Sequence, residues 1–232
     1  MSISVEKPKK THFILYCLQI NVTLQSKRIM NNSIQNIKWS ENVILVDADY
    51  VDKVAFNLIV NFERMIGRRI PQADFARWID CVALDGGLRE GEHETQVVLL
   101  YGNGRQKLDN FTPGDYHEAL NGKAFKDHLG EFIINAYPSE AIVGKDQQFA
   151  DMLQLVCGQE EVKRVMVIPN AEDEGQYNKV RKILQQADEE KRVTVFAMQP
   201  LPGGNFRQEI LGYSLMAALG IRSEELDKTI QA

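Results

Sequence analysis

The chain has 232 residues, with 27 Lys+Arg against 32 Asp+Glu and a net charge of −5. A hydrophobic fraction of 44% is enough to build a core and excludes a mainly disordered chain. No apolar run approaches the ~20 residues of a transmembrane helix, and the acidic balance argues against wholesale non-specific binding to duplex nucleic acid. Cys17, Cys81 and Cys157 are far apart, with no C-x-x-C and no metal-ligand spacing. That usage fits a reducing compartment, so a cytoplasmic α/β domain is the expectation.

Residues 1–40 differ from the rest. They hold six lysines or arginines and one acid, a local charge of +5 that leaves −10 for the remainder. The apolar run Phe13–Leu18 follows lysines, as in a secretory signal. However, Gln19 and Asn21 interrupt it and no small-x-small cleavage site follows, so export is not expected. Met30, ahead of Asn31-Asn32-Ser33, reads as the natural start, with 1–29 as upstream sequence. The organisation expected is a non-native or disordered extension over 1–40, an α/β domain over 41–220 and a tail over 221–232.

Within the domain, Val43-Ile44-Leu45-Val46 is an unbroken apolar run, the mark of a strand buried on both faces inside a parallel sheet. It ends in Asp47-Ala48-Asp49. A helix follows to Ile66, with Ala55, Ile59, Phe62 and Ile66 on one face and Gly67 as its stop. A second helix after Pro71 places Phe75, Ile79, Val82 and Ala83 inward and ends at Gly86-Gly87. Gln96–Tyr101 is the second strand. A short helix is expected over 115–128, and Glu131–Tyr137 is the third strand. A helix from Lys145 to Cys157 buries Phe149, Met152, Leu153 and Val156. Val165–Ile168 is the fourth strand, a helix near 174–188 follows, and Val193–Ala197 is the fifth strand. A last helix over 205–219 is apolar nearly all round, which suits core packing or, as the alternative, a homodimer seam. Alternating strands and helices predict a three-layer α/β/α sandwich around a five-stranded, mainly parallel sheet of PIN/Rossmann-like type.

Ligands of open parallel sheets bind at the carboxyl ends of the strands. Acids gather at those exits: Asp47 and Asp49 after strand one, Asp146 and Asp151 on the helix after strand three, and Glu172, Asp173 and Glu174 after strand four. Oxygen-only clusters hold Mg²⁺ or Mn²⁺, which positions water against a phosphodiester. The same residue types also cap helix starts, the plainer role for Asp146 and for Glu172–Glu174. The histidines (His12, His93, His117 and His128) are scattered and form no metal pair.

The order Val46-Asp47-Ala48-Asp49, then Val143-Gly144-Lys145-Asp146 with Asp151, then Ile168-Pro169-Asn170-Ala171-Glu172-Asp173-Glu174, resembles the PIN-like nuclease superfamily in its NYN branch. The resemblance spans about residues 42–197 and is mostly one of topology. It departs where Tyr50 stands near the usual Asn and where Asn170–Glu174 replaces a Ser-x-Asp-x-Asp turn. The chain also resembles a bacterial family of unknown function. What the NYN resemblance implies is a Mg²⁺- or Mn²⁺-dependent ribonuclease acting on single-stranded RNA. Its ligands would be Asp47, Asp146 and Asp173 or Glu172, supported by Asp49 and Asp151, with Lys145 and Arg105 on the phosphates. A degenerate member would instead be an RNA- or protein-binding module without chemistry. A second resemblance competes: Asp47-Ala48-Asp49-Tyr50-Val51 fits the D-x-D-x-[TV] pattern of haloacid dehalogenase-like phosphatases, with Asp47 as nucleophile.

Overall fold

The apolar run after Glu41 becomes β1 (Asn42–Asp47), every residue of which is buried, in the computed structural model of the chain. The structure describes residues 38–140, 143–222 and 224–225. β1 is followed by α1 (Ala48–Ile66), β2 (Ala73–Asp74), α2 (Phe75–Asp85), β3 (His93–Tyr101) and β4 (Phe111–Thr112). After a π-helical turn at Tyr116–Leu120 come β5 (Lys123–Asp127), β6 (Gly130–Pro138), α3 (Lys145–Cys157) and β7 (Arg164–Ile168). The chain continues through α4 (Glu174–Leu184), β8 (Arg192–Ala197), β9 (Arg207–Ile210) and α5 (Leu211–Ala218).

The large sheet has seven strands in the order β5-β6-β3-β1-β7-β8-β9, and every neighbouring pair is parallel except β5 with β6. β2 and β4 form a separate parallel pair. Side chains alternate across a strand. Ile44, Val46, Val97, Leu99, Met166 and Ile168 therefore share a face, and they pack with buried residues of α1, α2 and α5. The alternate residues Val43, Leu45, Val98, Val165 and Val167 are equally buried on the face where α3 and α4 lie. Full burial of each such side chain stabilises by about 1.5–3 kcal/mol before chain entropy is counted. An aromatic cluster of Phe75, Trp78 and Phe111 joins α2 to β4, with ring centroids 5.2–6.4 Å apart.

The α/β class and the mainly parallel sheet are as expected, but the sheet has seven strands and not five. The expected helix over 115–128 is a π-turn followed by β5, which forms a hairpin with β6. Phe125 sits opposite Phe132 there, and the two rings stack with centroids 4.8 Å apart. The expected helix over 205–219 begins only at Leu211, because Arg207–Ile210 runs parallel to β8 as β9. α5 buries Leu211 and Leu215 in the core, with Leu219 just beyond its end, and leaves Tyr213 exposed. The domain begins slightly before residue 41. Trp39 is buried, and the Ser40 hydroxyl donates to Glu94 Oε1 at 2.6 Å. At the other end Arg68 pairs with Glu225 at 2.7 Å, so the expected tail starts tied to the domain. The readings of Phe13–Leu18 and of Met30 lie outside the described residues, as does Cys17; Cys81 and Cys157 are free thiols. Among the described residues no helix is long and apolar enough to cross a membrane.

Candidate functional site

β1 lies between β3 and β7, so crossovers leave its two sides in opposite directions and open a crevice at its carboxyl end. Asp47 is the last residue of β1 and the N-cap of α1: its Oδ1 accepts the Tyr50 N–H at 3.1 Å. The side chain is 0% exposed, and Oδ2 has no hydrogen-bond partner among the described residues. One step into α1, Asp49 Oδ2 accepts the Gly102 N–H from the end of β3 at 2.9 Å.

The third member arrives from α3. Gly144 caps that helix at φ 75, a left-handed conformation that favours glycine, and Lys145 follows as the first helical residue. Lys145 Nζ donates to Asp47 Oδ1 at 2.6 Å and to Asp49 Oδ2 at 2.9 Å. Burial raises the Asp47 pKa, and the Lys145 charge and the Tyr50 N–H offset only part of that rise. Burial lowers the Lys145 pKa, but the two carboxylates outweigh it and leave the ammonium above its ordinary value. Lys145 therefore stays charged between two carboxyl groups at the mouth of the central strand.

Around this centre Arg105 reaches Asp49 at 3.6 Å, Asp52 at 3.7 Å and Asp109 at 3.3 Å. Asp52, buried on α1, accepts both the backbone N–H and the side-chain amide of Asn110 through Oδ1, at 2.8 and 3.1 Å. Tyr101, at the end of β3, stacks on Tyr116 with centroids 3.8 Å apart and planes 9° from parallel. Burial, and then the Asp49 and Asp52 charges, raise the Tyr116 hydroxyl pKa far above its usual value. Asp52, Asn110 and Tyr116 were not among the expected site residues. An acid five residues beyond Asp47 was the only signal in the sequence, and its Asn110 partner is remote along the chain.

The other expected ligands have different occupations. Asp173 caps α4, accepting the Gln176 N–H at 2.8 Å. Glu172 pairs with Lys53 at 3.2 Å, and both side chains are about half exposed. Asp151 accepts from Gln147 at 2.9 Å, and Asp146 stands exposed in the first turn of α3. Among the described residues no three His, Cys, Asp or Glu side chains come together in an arrangement that could hold a metal ion. The expected grouping of Asp47 with Asp146 and Asp173 is thus replaced by Asp47, Asp49 and Lys145. Lys145 and Arg105, expected to meet phosphates, meet carboxylates. The phosphatase pattern fares no better on geometry. α1 starts directly at Ala48, where that pattern expects a loop and hairpin. β3 ends in Tyr101 where a Ser or Thr is needed, and the Asp47 carboxylate is enclosed.

No curated protein and no solved structure matches the chain. A family model described as "Family of unknown function (DUF6621)" matches residues 36–226, which takes in the whole large sheet, the five helices α1–α5 and the Asp47–Lys145–Asp49 centre. The chain belongs to this DUF6621 family.

Proposed function

We propose that this protein is a PIN-like domain that has exchanged a divalent ion for an internal lysine and works as a non-hydrolytic binding module, single-stranded RNA being the ligand that the resemblance implies. The observation that carries the reading is the Lys145 ammonium, 2.6 and 2.9 Å from carboxylates of Asp47 and Asp49. A divalent ion bridging those oxygens would sit beside a fixed positive charge. Unit charges 4 Å apart interact by about 4 kcal/mol at an effective dielectric of ~20, so a doubly charged ion at that distance meets about 8 kcal/mol of repulsion. The residues present do not fit Mg²⁺ or Mn²⁺. The strand order supports the scaffold: leaving out the antiparallel β5 and counting the parallel strands along the chain, the large sheet reads 3-2-1-4-5-6, the doubly wound order.

The test pairs two measurements on the full chain. Calorimetric titration with Mn²⁺ is expected to give no binding heat. Incubation of a fluorescently labelled single-stranded RNA with protein and Mn²⁺ is expected to raise its anisotropy and leave its length unchanged. RNA cleavage that requires Mn²⁺ and is lost in Asp47→Asn overturns the reading, as does RNA whose anisotropy never changes.

A further inference from the structure

A second crevice lies at the amino-terminal end of the sheet, opposite the Asp47 mouth. Three adjacent strands each supply an arginine there: Arg164 opens β7, Arg192 opens β8 and Arg207 opens β9. Arg164 pairs in register with Arg192, and Arg207 pairs with Thr194, two residues on from Arg192. With side chains alternating, all three arginines fall on one face of the sheet, on strands ~4.8 Å apart. Like charges directly opposite on a sheet are destabilising, so the arrangement calls for a function or a counter-ion.

Among the described residues, nearby acids compensate the positive charge only in part, because Arg89 and Lys191 add to the three arginines. Arg164 Nη1 donates to the Gly86 carbonyl at 2.6 Å, while its Nε is buried with no partner. A Cβ on Gly87 would lie 2.8 Å from Arg164 Nη1 and 3.5 Å from Arg207 Nη1, so the bare glycine leaves room for two guanidiniums to converge. The acids near them are Glu41, Glu190, Asp85 and Glu209, of which Glu209 pairs with Arg207 at 2.8 Å. Burial first, and then the like charges of Arg192, Arg89 and Arg207, push the Arg164 pKa down. Arg164, Arg192 and Arg207, with Lys191, line a cleft of about 330 Å³ that Asn205 and Phe206 complete. The half-buried Phe206 ring lies against Gly204, which has no side chain to hold it off.

We propose that this cleft binds a phosphomonoester of nucleotide size, its phosphate held by Arg164, Arg192 and Arg207 and its ring system placed on Phe206. Guanidinium forks match phosphate oxygens in geometry, and a dianion relieves the mutual repulsion of several arginines better than a single carboxylate does. The volume lies at the small end of ligand pockets, which run from about 300 Å³ upward. The aromatic rim gives a flat ring a partner that inorganic phosphate does not use. The inference stands apart from the non-hydrolytic reading, because Asp47 and Lys145 belong to the other end of the sheet.

The test is calorimetric titration of the full chain at low salt with adenosine 5′-monophosphate, inorganic phosphate and adenosine. The monophosphate is expected to bind at least fivefold more tightly than inorganic phosphate, and adenosine to give no heat. Arg192→Gln and Arg207→Gln, both at exposed positions, are expected to weaken both phosphate ligands at least fivefold. Lys123→Gln, on the far edge of the sheet, leaves them unchanged and controls for net charge. Phe206→Leu is expected to bring the monophosphate down to the affinity of inorganic phosphate. Absence of heat with both phosphate ligands, or undiminished affinity in both glutamine variants, overturns the site. An unchanged monophosphate affinity in Phe206→Leu overturns the placement of the ring.

Discussion

Replacing Lys145 by methionine keeps the approximate length of the side chain and removes its charge, which leaves Asp47 and Asp49 facing one another. Asp49 retains Arg105 at 3.6 Å, but Asp47 is 0% exposed and retains only the Tyr50 N–H. Removing one partner of a buried ion pair costs about 3–5 kcal/mol. Lys145 is itself 20% exposed, so water enters part of the vacated space, and the expected loss is about 2–4 kcal/mol. Asp47→Asn preserves the cap on α1, since asparagine caps as well as aspartate, and is expected to cost about 1–2 kcal/mol for the lost charge-assisted bond. The double variant has neither the ammonium nor an enclosed charge at position 47, so it should be more stable than the sum of the single losses by at least ~1 kcal/mol. Urea unfolding at pH 7, with equal slopes for all four proteins, measures the cycle. A loss below about 0.5 kcal/mol for Lys145→Met, or strict additivity, would refute the assignment of this lysine as the counter-ion of the mouth.

Three further outcomes follow from features away from the mouth. Asp80 on α2 is pushed up to about 7 by burial and by the neighbouring Asp127 and Asp74. In the unfolded chain it titrates near about 3.9, so between those values the folded state binds more protons and stability falls as pH rises from about 4 to about 7. At about 1.36 kcal/mol per pH unit the whole effect is about 4 kcal/mol, which screening at this half-buried position reduces to about 1–2 kcal/mol. Asp80→Asn should be more stable than the wild type by that amount above pH 7 and equal to it near pH 4 in urea titrations; parallel pH profiles would refute this. Gly67 ends α1 at φ 73, and a Cβ added there would meet nothing within 4 Å, so Gly67→Ala should cost about 1–2 kcal/mol from backbone strain alone, read as a lowered Tm. Phe111→Ala empties one corner of the aromatic cluster with Phe75 and Trp78 and should cost about 3–5 kcal/mol by urea unfolding, with a change in Trp78 fluorescence.

The interior of the molecule was legible in the sequence and its margins were not. β1 and β7 carry unbroken apolar runs, and β8 one interrupted only by the buried Thr194, because both of their faces are covered, and α3 runs from Lys145 to Cys157 as expected, with Gly158 after it. β5 and β9 escaped because each is an edge strand of mixed polarity, Lys-Ala-Phe-Lys-Asp and Arg-Gln-Glu-Ile, in which period-two patterning is too short to read. At the site, Asp47, Asp49 and Lys145 were all among the residues expected there, but with Asp146 and Asp173 as the partners of Asp47 and Lys145 reserved for phosphate. Which charge meets which was not legible, because that depends on the turn at Gly144 and on the position of Gly102. Asp173 behaves as the cap that its place before α4 suggests, and the partnership of Asp52 with Asn110 depends on a loop path that no local pattern encodes.

The two outermost strands of the large sheet have a consequence for self-association. β5 carries Lys123, Lys126 and Asp127, and β9 carries Arg207 and Glu209. Another chain adding itself to either margin by backbone hydrogen bonding would have to bring its own strand alongside these ionised groups, which natural sheets use to discourage such stacking. Among the described residues, fibrous growth is thereby disfavoured at both margins.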